Sequence, residues 1–259
     1  AIPVFVDIDA KTFNIDENKI EEKITDKTKV ILPVSLFGQM CEIERIMDIA
    51  KKHNLFVIED GAQSLGAKIN GTQSCSIADI SCTSFYPTKS LGCWGDGGAC
   101  FTNNKEFYDK LVAIRNHGGA VRDHHTMIGL NGRLDTIQAG VLLVKMNHFD
   151  NDLELRRANA LRYNEAFKNL NLITTPYCEE YNYHIYAQYT IIIGNNKRDE
   201  LKDYLKENNI NVSVFYQKSL HLQPCFGYLG NKEGDFPVSE EMGKHVISLP
   251  VYPEFKEEE

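Results

Sequence analysis

The sequence predicts an α/β protein, in which a mostly parallel β-sheet covered by helices is followed by a smaller α+β domain. Two observations support this prediction. Short apolar segments alternate with amphipathic helical segments in the first half of the chain, as in parallel sheets with helices on both faces. Near residue 145 the pattern changes to a long charged segment followed by strand, helix and strand. We therefore expect a larger domain over residues 1–145 and a smaller one over residues 146–259.

The elements of the first half follow from their patterns. Residues 42–54 have the clearest helical spacing, with isoleucine at positions 43, 46 and 49 and basic residues in the last turn. Four consecutive apolar residues ending in two acids mark a strand at 55–60. By the same reasoning we expect strands at 2–9, 29–38, 77–85 and 97–102, and helices at 15–24 and 105–119.

The second half begins with a highly charged helical segment at 152–170. A strand at 184–193, a helix at 198–209 and a strand at 211–216 follow in the predicted smaller domain. The acidic end at 254–259 is expected to fray.

Composition excludes several functional classes. The 259 residues are 42% hydrophobic and 25% charged, and the net charge of −8 argues against a basic nucleic-acid surface. No apolar run approaches a membrane-spanning length, and the first residues lack a signal-peptide pattern, so we expect a cytoplasmic protein without membrane partners. Seven cysteines without a C-x-x-C pair indicate reduced thiols and no zinc site. A reactive thiol at Cys93 or Cys100 stays open.

Two polar side chains follow neighbouring strands of the predicted sheet. Asp60 ends the segment 55–60, and Lys89 follows the strand at 77–85, within the stretch SFYPTKSLGCWGDGG. Ligands of open α/β sheets bind outside the carboxyl ends of the strands, so we expect this carboxylate and this amine to lie near one another. Taken alone, Asp60 is more often a turn cap and Lys89 more often a solvated surface residue.

This pairing is suited to pyridoxal 5′-phosphate (PLP). The aldehyde of PLP forms a Schiff base with a lysine, and an acid at its ring nitrogen keeps the ring protonated and electron-withdrawing. Ser84, five residues before Lys89, is placed to donate its hydroxyl to the phosphate. The glycines of the stretch either let the backbone pass close to the cofactor or simply form a turn.

Three long motifs carry a family resemblance. They are VIEDGAQSLGA (57–67), SFYPTKSLGCWGDGGACFTN (84–103) and IGLNGRLDTIQAG (128–140). In this order they resemble the DegT/DnrJ/EryC1/StrS family of PLP-dependent nucleotide-sugar aminotransferases. The resemblance continues to HLQPCF (221–226) and LPVYP (249–253). It implies the aspartate-aminotransferase fold, also called PLP fold type I.

The resemblance also implies roles for the cofactor residues. Lys89 corresponds to the Schiff-base lysine and Asp60 to the partner of the pyridine nitrogen. Gln63 would contact the cofactor near its ring oxygen, or serve only as a turn donor. Ser84 would contact the phosphate, and Asn131 would reach the phosphate from the other subunit of a homodimer, so that the active sites are shared.

The implied substrate residues are Arg133, Tyr216 and His221, which would line the pocket for the sugar nucleotide. Arg133 is also compatible with a surface ion pair. For Tyr216 and His221, packing between domains is about as plausible as substrate contact. No metal is expected.

The chain departs from the family pattern at several points. Many members carry histidine where this chain has Ser35 and Phe215, and both positions are expected on the substrate side. Lys89 is retained, whereas histidine replaces it in the dehydratase branch, which disfavours deoxygenation. Members normally begin with a Gly-Thr turn that cradles the phosphate at a helix N-terminus, so the N-terminal part of the fold is expected to be missing.

The function that the resemblance implies is transfer of an amino group from L-glutamate to a keto-sugar nucleotide. The stretch LGCWGDGGA favours a UDP-2-acetamido-3-keto-hexuronate acceptor, used for bacterial surface polysaccharides, over a 4-keto-hexose nucleotide. Two alternatives from other classes stay open: a PLP-binding regulator without turnover, and a cysteine-dependent lyase that uses Cys93 or Cys100.

Overall fold

The computed structural model describes residues 1–256, so that residues 257–259 of the acidic end lie outside the described part. In chain order the strands are β1 (Val30–Ile31), β2 (Phe56–Asp60), β3 (Lys68–Ile69), β4 (Thr72–Gln73), β5 (Ile80–Ser84), β6 (Gly98–Phe101), β7 (Ile173–Thr174), β8 (Asn182–Tyr183), β9 (Tyr189–Ile193) and β10 (Val246–Leu249). The helices are α1 (Ile43–Lys52), α2 (Lys105–Arg115), α3 (Thr136–Met146), α4 (Phe149–Phe167), α5 (Arg198–Glu207) and α6 (Pro237–His245).

The main sheet has four strands in the order β1-β2-β5-β6. The first three are parallel and β6 is antiparallel to β5, which confirms the predicted, mostly parallel sheet. Val57 and Glu59 of β2 are fully buried on one face, and Ile43 and Ile46 of α1 join the same core cluster as Val57. The isoleucine spacing that predicted α1 is therefore the spacing of its buried stripe.

Two further sheets organise the rest of the chain. The antiparallel sheet β10-β9-β7 carries a second core, which includes Tyr189, Ile191 and Ile247. A small sheet, β4-β3-β8, pairs Lys68 of the first half with Tyr183 of the second. Helix α4 contributes to both cores, so the division at residue 145 stays a prediction.

Several predicted elements are absent or shortened. Residues 2–9 form no strand, because within the described chain only the isolated bridge between Ile8 and Ile15 pairs with them. Residues 15–24 form two 3₁₀ turns, Glu17–Lys19 and Glu21–Lys23, instead of an α-helix. The side chain of Asp16 caps the first turn by accepting from the Asn18 N–H, and the turn closes with an i to i+3 bond.

The predicted strands of the second half are also reduced. Residues 184–188 leave the sheet because the N–H groups of Ile185 and Gln188 donate to the carbonyls of Gly38 and Phe37. Residues 211–216 reach β10 only through the bridge between Ser213 and Ser248. Helices α3 and α6 and strand β10 were not expected from the sequence.

Candidate active site

Asp60 is the last residue of β2 and is held through its backbone and one carboxylate oxygen. Its N–H donates to the Pro33 carbonyl (2.9 Å), and its carbonyl accepts from the Ser35 N–H (3.0 Å). Oδ1 accepts from the Ala62 N–H (2.9 Å). Within residues 1–256, Oδ2 has no hydrogen-bond partner. Asp60 thus caps a turn and keeps one oxygen available for a ligand.

Ser84 ends β5 beside Asp60. Asp60 pairs with Cys82 in the register of β2 and β5, which places Ser84 two residues further along the neighbouring strand. Adjacent strands lie about 4.8 Å apart, so the two side chains leave the sheet at neighbouring positions. The Ser84 hydroxyl oxygen accepts from the Tyr86 N–H (3.2 Å), and its proton is left for an external acceptor.

Lys89 lies in a tightly folded loop after β5. Its N–H donates to the Tyr86 carbonyl (2.9 Å), and the Cys93 N–H donates to the Phe85 carbonyl (2.8 Å). Gly92 is required here, because a Cβ would stand 2.5 Å from the Pro87 carbonyl oxygen. The Lys89 ammonium has no hydrogen bond or ion pair in the described chain. The loop therefore presents a free amine from a fixed backbone.

The Cys93 thiol has a structural role in the same loop. Its Sγ donates to the carbonyl oxygens of Phe85 and Gly95, both at 3.0 Å, and the side chain is buried with Leu91 and Leu142. A thiol used in this way is not placed to attack a substrate, which disfavours the lyase alternative at Cys93. All seven cysteines are free, and Cys100 is exposed on β6.

Gln63 and Tyr216 bring the second half of the chain to this site. Gln63 Oε1 accepts from the Phe37 N–H (2.7 Å). Tyr216 is 56% exposed. The pKa of its hydroxyl is raised, mainly by local burial; the Gln63 side chain opposes this effect and the Asp60 carboxylate adds to it. Tyr216 therefore lies within electrostatic reach of Asp60, which the sequence alone did not indicate.

Asn131 and Arg133 lie apart from these residues. Both are exposed; the Asn131 backbone bridges to Asn116, and Arg133 Nη1 lies 3.3 Å from His117 Nε2. No contact joins either of them to Asp60 or Lys89 among residues 1–256. A single chain thus does not bring Asn131 to the predicted phosphate position.

His221 is buried and partnered. Its Nε2 lies 3.0 Å from Glu240 Oε1, and its ring packs on Phe236 with 4.6 Å between centroids. Together with Phe215 and Tyr216 it lines a cavity of about 620 Å³, whose other wall includes Val4, Phe5, Val6, Ile8, Leu32, Val34, Leu36 and Phe37. Asp60, Ser84 and Lys89 are absent from this lining, but the cavity adjoins the cofactor residues through Val34, which bridges to Asp60, and through Phe37, whose N–H donates to Gln63.

Ser35 does not lie on the substrate side, contrary to the sequence expectation. It is fully buried, and its hydroxyl donates to Glu59 Oε1 (2.8 Å). Sequence reasoning also missed Glu59, whose buried carboxylate lies next to Asp60 in the chain. The available signal was a charged residue inside an otherwise apolar strand.

The described chain contains no group of three or more His, Cys, Asp or Glu side chains arranged to hold a metal ion. None of its helices combines the length and apolarity needed to cross a membrane.

The polar groups at the strand ends fit PLP. Within residues 1–256, Lys89 offers an amine without a partner, which matches the aldehyde of PLP. Asp60 offers a carboxylate oxygen without a partner for the ring nitrogen, and Ser84 offers a hydroxyl proton for the phosphate. Asp60 and Ser84 end adjacent parallel strands, and Lys89 lies in the loop that follows the second.

Comparisons with known proteins identify the relatives of this chain. The "Pleiotropic regulatory protein" of Geobacillus stearothermophilus is 47% identical over 261 residues, which cover 100% of this chain and 70% of that protein. The "UDP-2-acetamido-2-deoxy-3-oxo-D-glucuronate aminotransferase" of Pseudomonas aeruginosa is 42% identical over 253 residues, covering 98% of this chain and 69% of that protein.

The crystal structure of NtdA from Bacillus subtilis with bound cofactor PMP superposes with a TM-score of 0.89 at 32% identity, over 99% of this chain and 59% of that one. The family model described as "DegT/DnrJ/EryC1/StrS aminotransferase family" matches residues 1–259. These findings confirm the expected family, fold and cofactor. The chain therefore belongs to the DegT/DnrJ/EryC1/StrS family and is a PLP-dependent sugar aminotransferase.

Proposed function

We propose that the enzyme transfers the amino group of L-glutamate to the 3-keto carbon of a UDP-2-acetamido-3-keto-hexuronate, for a bacterial surface polysaccharide. The observation that carries the aminotransferase chemistry is the Asp60 carboxylate, with Oδ2 unpartnered among residues 1–256, at the end of the strand that pairs with β5, which leads into the Lys89 loop. The acceptor is supported by 42% identity to the Pseudomonas aeruginosa aminotransferase, whose name specifies such a sugar.

Each cofactor residue then has a defined task. PLP supplies an electron sink for negative charge that develops at the substrate Cα. Lys89 would hold the cofactor through its aldehyde, and its amine is the base that would move the substrate Cα proton. Asp60 Oδ2 would accept the hydrogen bond of the ring N–H. Ser84 would donate to the phosphate, and Gln63 would orient the cofactor near its ring oxygen.

The sugar nucleotide is expected to approach from the side of Tyr216. Tyr216 and His221 line the same cavity, and the pKa of the Tyr216 hydroxyl is influenced by both Gln63 and Asp60. Tyr216 is thus our candidate for contact with the sugar near the reacting carbon. His221, buried against Glu240, shapes the cavity wall. Arg133 of a second subunit is our candidate for contact with the nucleotide.

A homodimer is the partner arrangement that the surface favours. Ile137 and Val144 of α3 are seven residues apart on one helix face, and both are exposed. Ile128 in the preceding loop is 97% exposed. Exposed apolar residues concentrated in one stretch are typical of an interface. Asn131 lies between them, where a partner's phosphate site would be reached.

The test is a spectrum of the purified full-length protein with PLP, before and after L-glutamate. We expect a visible cofactor band that glutamate removes and D-glutamate does not. Addition of a 3-keto-hexuronate nucleotide should restore the band. Restoration only by a 4-keto-hexose nucleotide would move the acceptor to the alternative sugar class.

One alternative from another class has direct support. The Geobacillus stearothermophilus relative is named as a regulatory protein. A PLP-binding regulator without turnover would show the cofactor band with no change on glutamate addition. The same spectrum therefore separates the two functions.

A further inference from the structure

Glu59 is completely buried although it precedes Asp60 directly on β2. Side chains alternate along a strand, so the two carboxylates point to opposite faces of the sheet. Four donors converge on the two oxygens of Glu59. They are the hydroxyls of Ser35 (2.8 Å) and Ser74 (3.1 Å) on Oε1, and the N–H of Cys75 (2.9 Å) and the hydroxyl of Ser81 (3.1 Å) on Oε2.

This carboxylate has no counter-ion within residues 1–256, where no lysine, arginine or histidine forms an ion pair with Glu59. A buried carboxylate without a cation is costly unless its lone pairs are satisfied, and here four hydrogen bonds satisfy them. An apolar side chain at position 59 would leave these four donors without an acceptor, so the carboxylate ties residues 35, 74–75 and 81 together.

Ser35 links Glu59 to Asp60. The Ser35 hydroxyl donates to Glu59, while the Ser35 N–H donates to the Asp60 carbonyl (3.0 Å). The Asp60 N–H donates to Pro33 in the same segment (2.9 Å). Residues 33 and 35 thus hydrogen-bond both polar groups of the Asp60 backbone, and the Glu59 carboxylate in turn accepts the Ser35 hydroxyl bond. Since Ala62 fixes Oδ1, the direction of Oδ2 depends on this backbone.

We propose that Glu59 and Ser35 form a positioning pair that fixes the Asp60 carboxylate toward the ring nitrogen of PLP, a role that rests on the proposed function. Neither residue touches the cofactor. The pair acts by holding the backbone at the end of β2, where a small displacement changes the hydrogen bond that Asp60 offers.

Ser35→Ala and Ser81→Ala form a matched comparison. Both serines are fully buried and each donates one hydroxyl bond to Glu59, but only the Ser35 N–H also binds the Asp60 carbonyl. The two variants should lower the melting temperature similarly. Glu59→Gln keeps the side-chain shape, and rotation of the serine hydroxyls can accommodate its amide.

The decisive measurement is the nitrogen NMR chemical shift of ring-labelled PLP in the holoenzyme, alongside the rate of the glutamate half-reaction. In Ser35→Ala and Glu59→Gln we expect the shift to move toward an unprotonated ring and the rate to fall about 10- to 100-fold, as expected for a misplacement of about 1 Å. Ser81→Ala should keep the wild-type shift.

Equal ring-nitrogen shifts in Ser35→Ala and Ser81→Ala would overturn the positioning role, and this pair decides the question even if Glu59→Gln does not fold. If the wild-type protein binds no PLP or does not react with glutamate, the proposed function fails and this role fails with it. If the wild-type protein reacts with glutamate but the two serine variants give equal ring-nitrogen shifts, only the positioning role is overturned and the proposed function stands.

Discussion

Gly92→Ala tests whether the loop backbone places the Lys89 amine. The added Cβ would stand 2.5 Å from the Pro87 carbonyl oxygen and 2.8 Å from that of Tyr86. Both obstacles are backbone atoms, so the loop itself must move. The Tyr86 carbonyl accepts the Lys89 N–H, and the Gly92 carbonyl accepts from Lys145 Nζ (2.7 Å), so this movement reaches Lys89 directly.

Overpacking of this kind costs about 1–3 kcal/mol. For a chain of this size each kcal/mol lowers the melting temperature by about 2–4 °C. A displacement of Lys89 by about 1 Å should slow the glutamate half-reaction by about 100-fold. Melting curves and stopped-flow spectra of the PLP-loaded protein measure the two effects.

Gly227→Ala is the matched control, because a Cβ there meets nothing within 4 Å. We expect it to retain wild-type stability and rate. If Gly92→Ala kept a wild-type half-reaction and melting temperature, the close packing of the Lys89 loop would not be needed to place the amine, and our reasoning would be refuted.

Three further predictions concern the cofactor acid, the dimer and the buried histidine. Asp60→Asn should bind PLP but slow the half-reaction by at least about 100-fold, because the ring loses the carboxylate that keeps it protonated; a near-normal rate would reduce Asp60 to a turn cap. When Lys89→Ala protein exchanges subunits with a variant that has an acidic residue at position 131, one shared site of the hybrid dimer carries neither change, so activity should return. If each site were built from a single chain, every site of the hybrid would carry one change and mixing would restore no activity. Burial, aided by Arg157, lowers the pKa of His184 from 6.5 to about 3, so that below about pH 6.5 only the unfolded chain binds a proton at this residue. The unfolding free energy should therefore drop by about 2 kcal/mol between pH 7.5 and 5.0. His184→Gln can still accept the Tyr186 N–H and should remove this part of the pH dependence in denaturant titrations.

The sequence predicted those parts of the fold in which local pattern and tertiary environment agree. Helix α1 has a regular isoleucine stripe, and the strands predicted at 55–60 and 77–85 contain β2 and β5, which lie inside the main sheet. The rule that ligands bind at strand ends singled out Asp60 and Lys89, and their joint role in the site stays a prediction. Residues 2–9 have an equally good strand pattern, but a strand also needs a neighbour to pair with.

The contacts that complete the site could not be derived from local patterns. Ser35 and Glu59 are 24 residues apart, and Gln63 and Tyr216 are much further apart, so only the folded chain brings each pair together. Helix α6 was missed because Pro237 and Gly243 interrupt a short polar segment. The expected location of Ser35 was wrong because a small polar side chain gives no sign of which face of a strand it occupies.

The proposed mechanism requires that Lys89 carries the cofactor. Reduction of the PLP-loaded protein with borohydride, followed by peptide mass spectrometry, fixes the cofactor to whichever lysine binds it. We predict the pyridoxyl modification on the peptide that contains Lys89, and none in Lys89→Ala. Modification of another lysine, or a modified Lys89→Ala protein, would contradict the assignment on which the proposed mechanism depends.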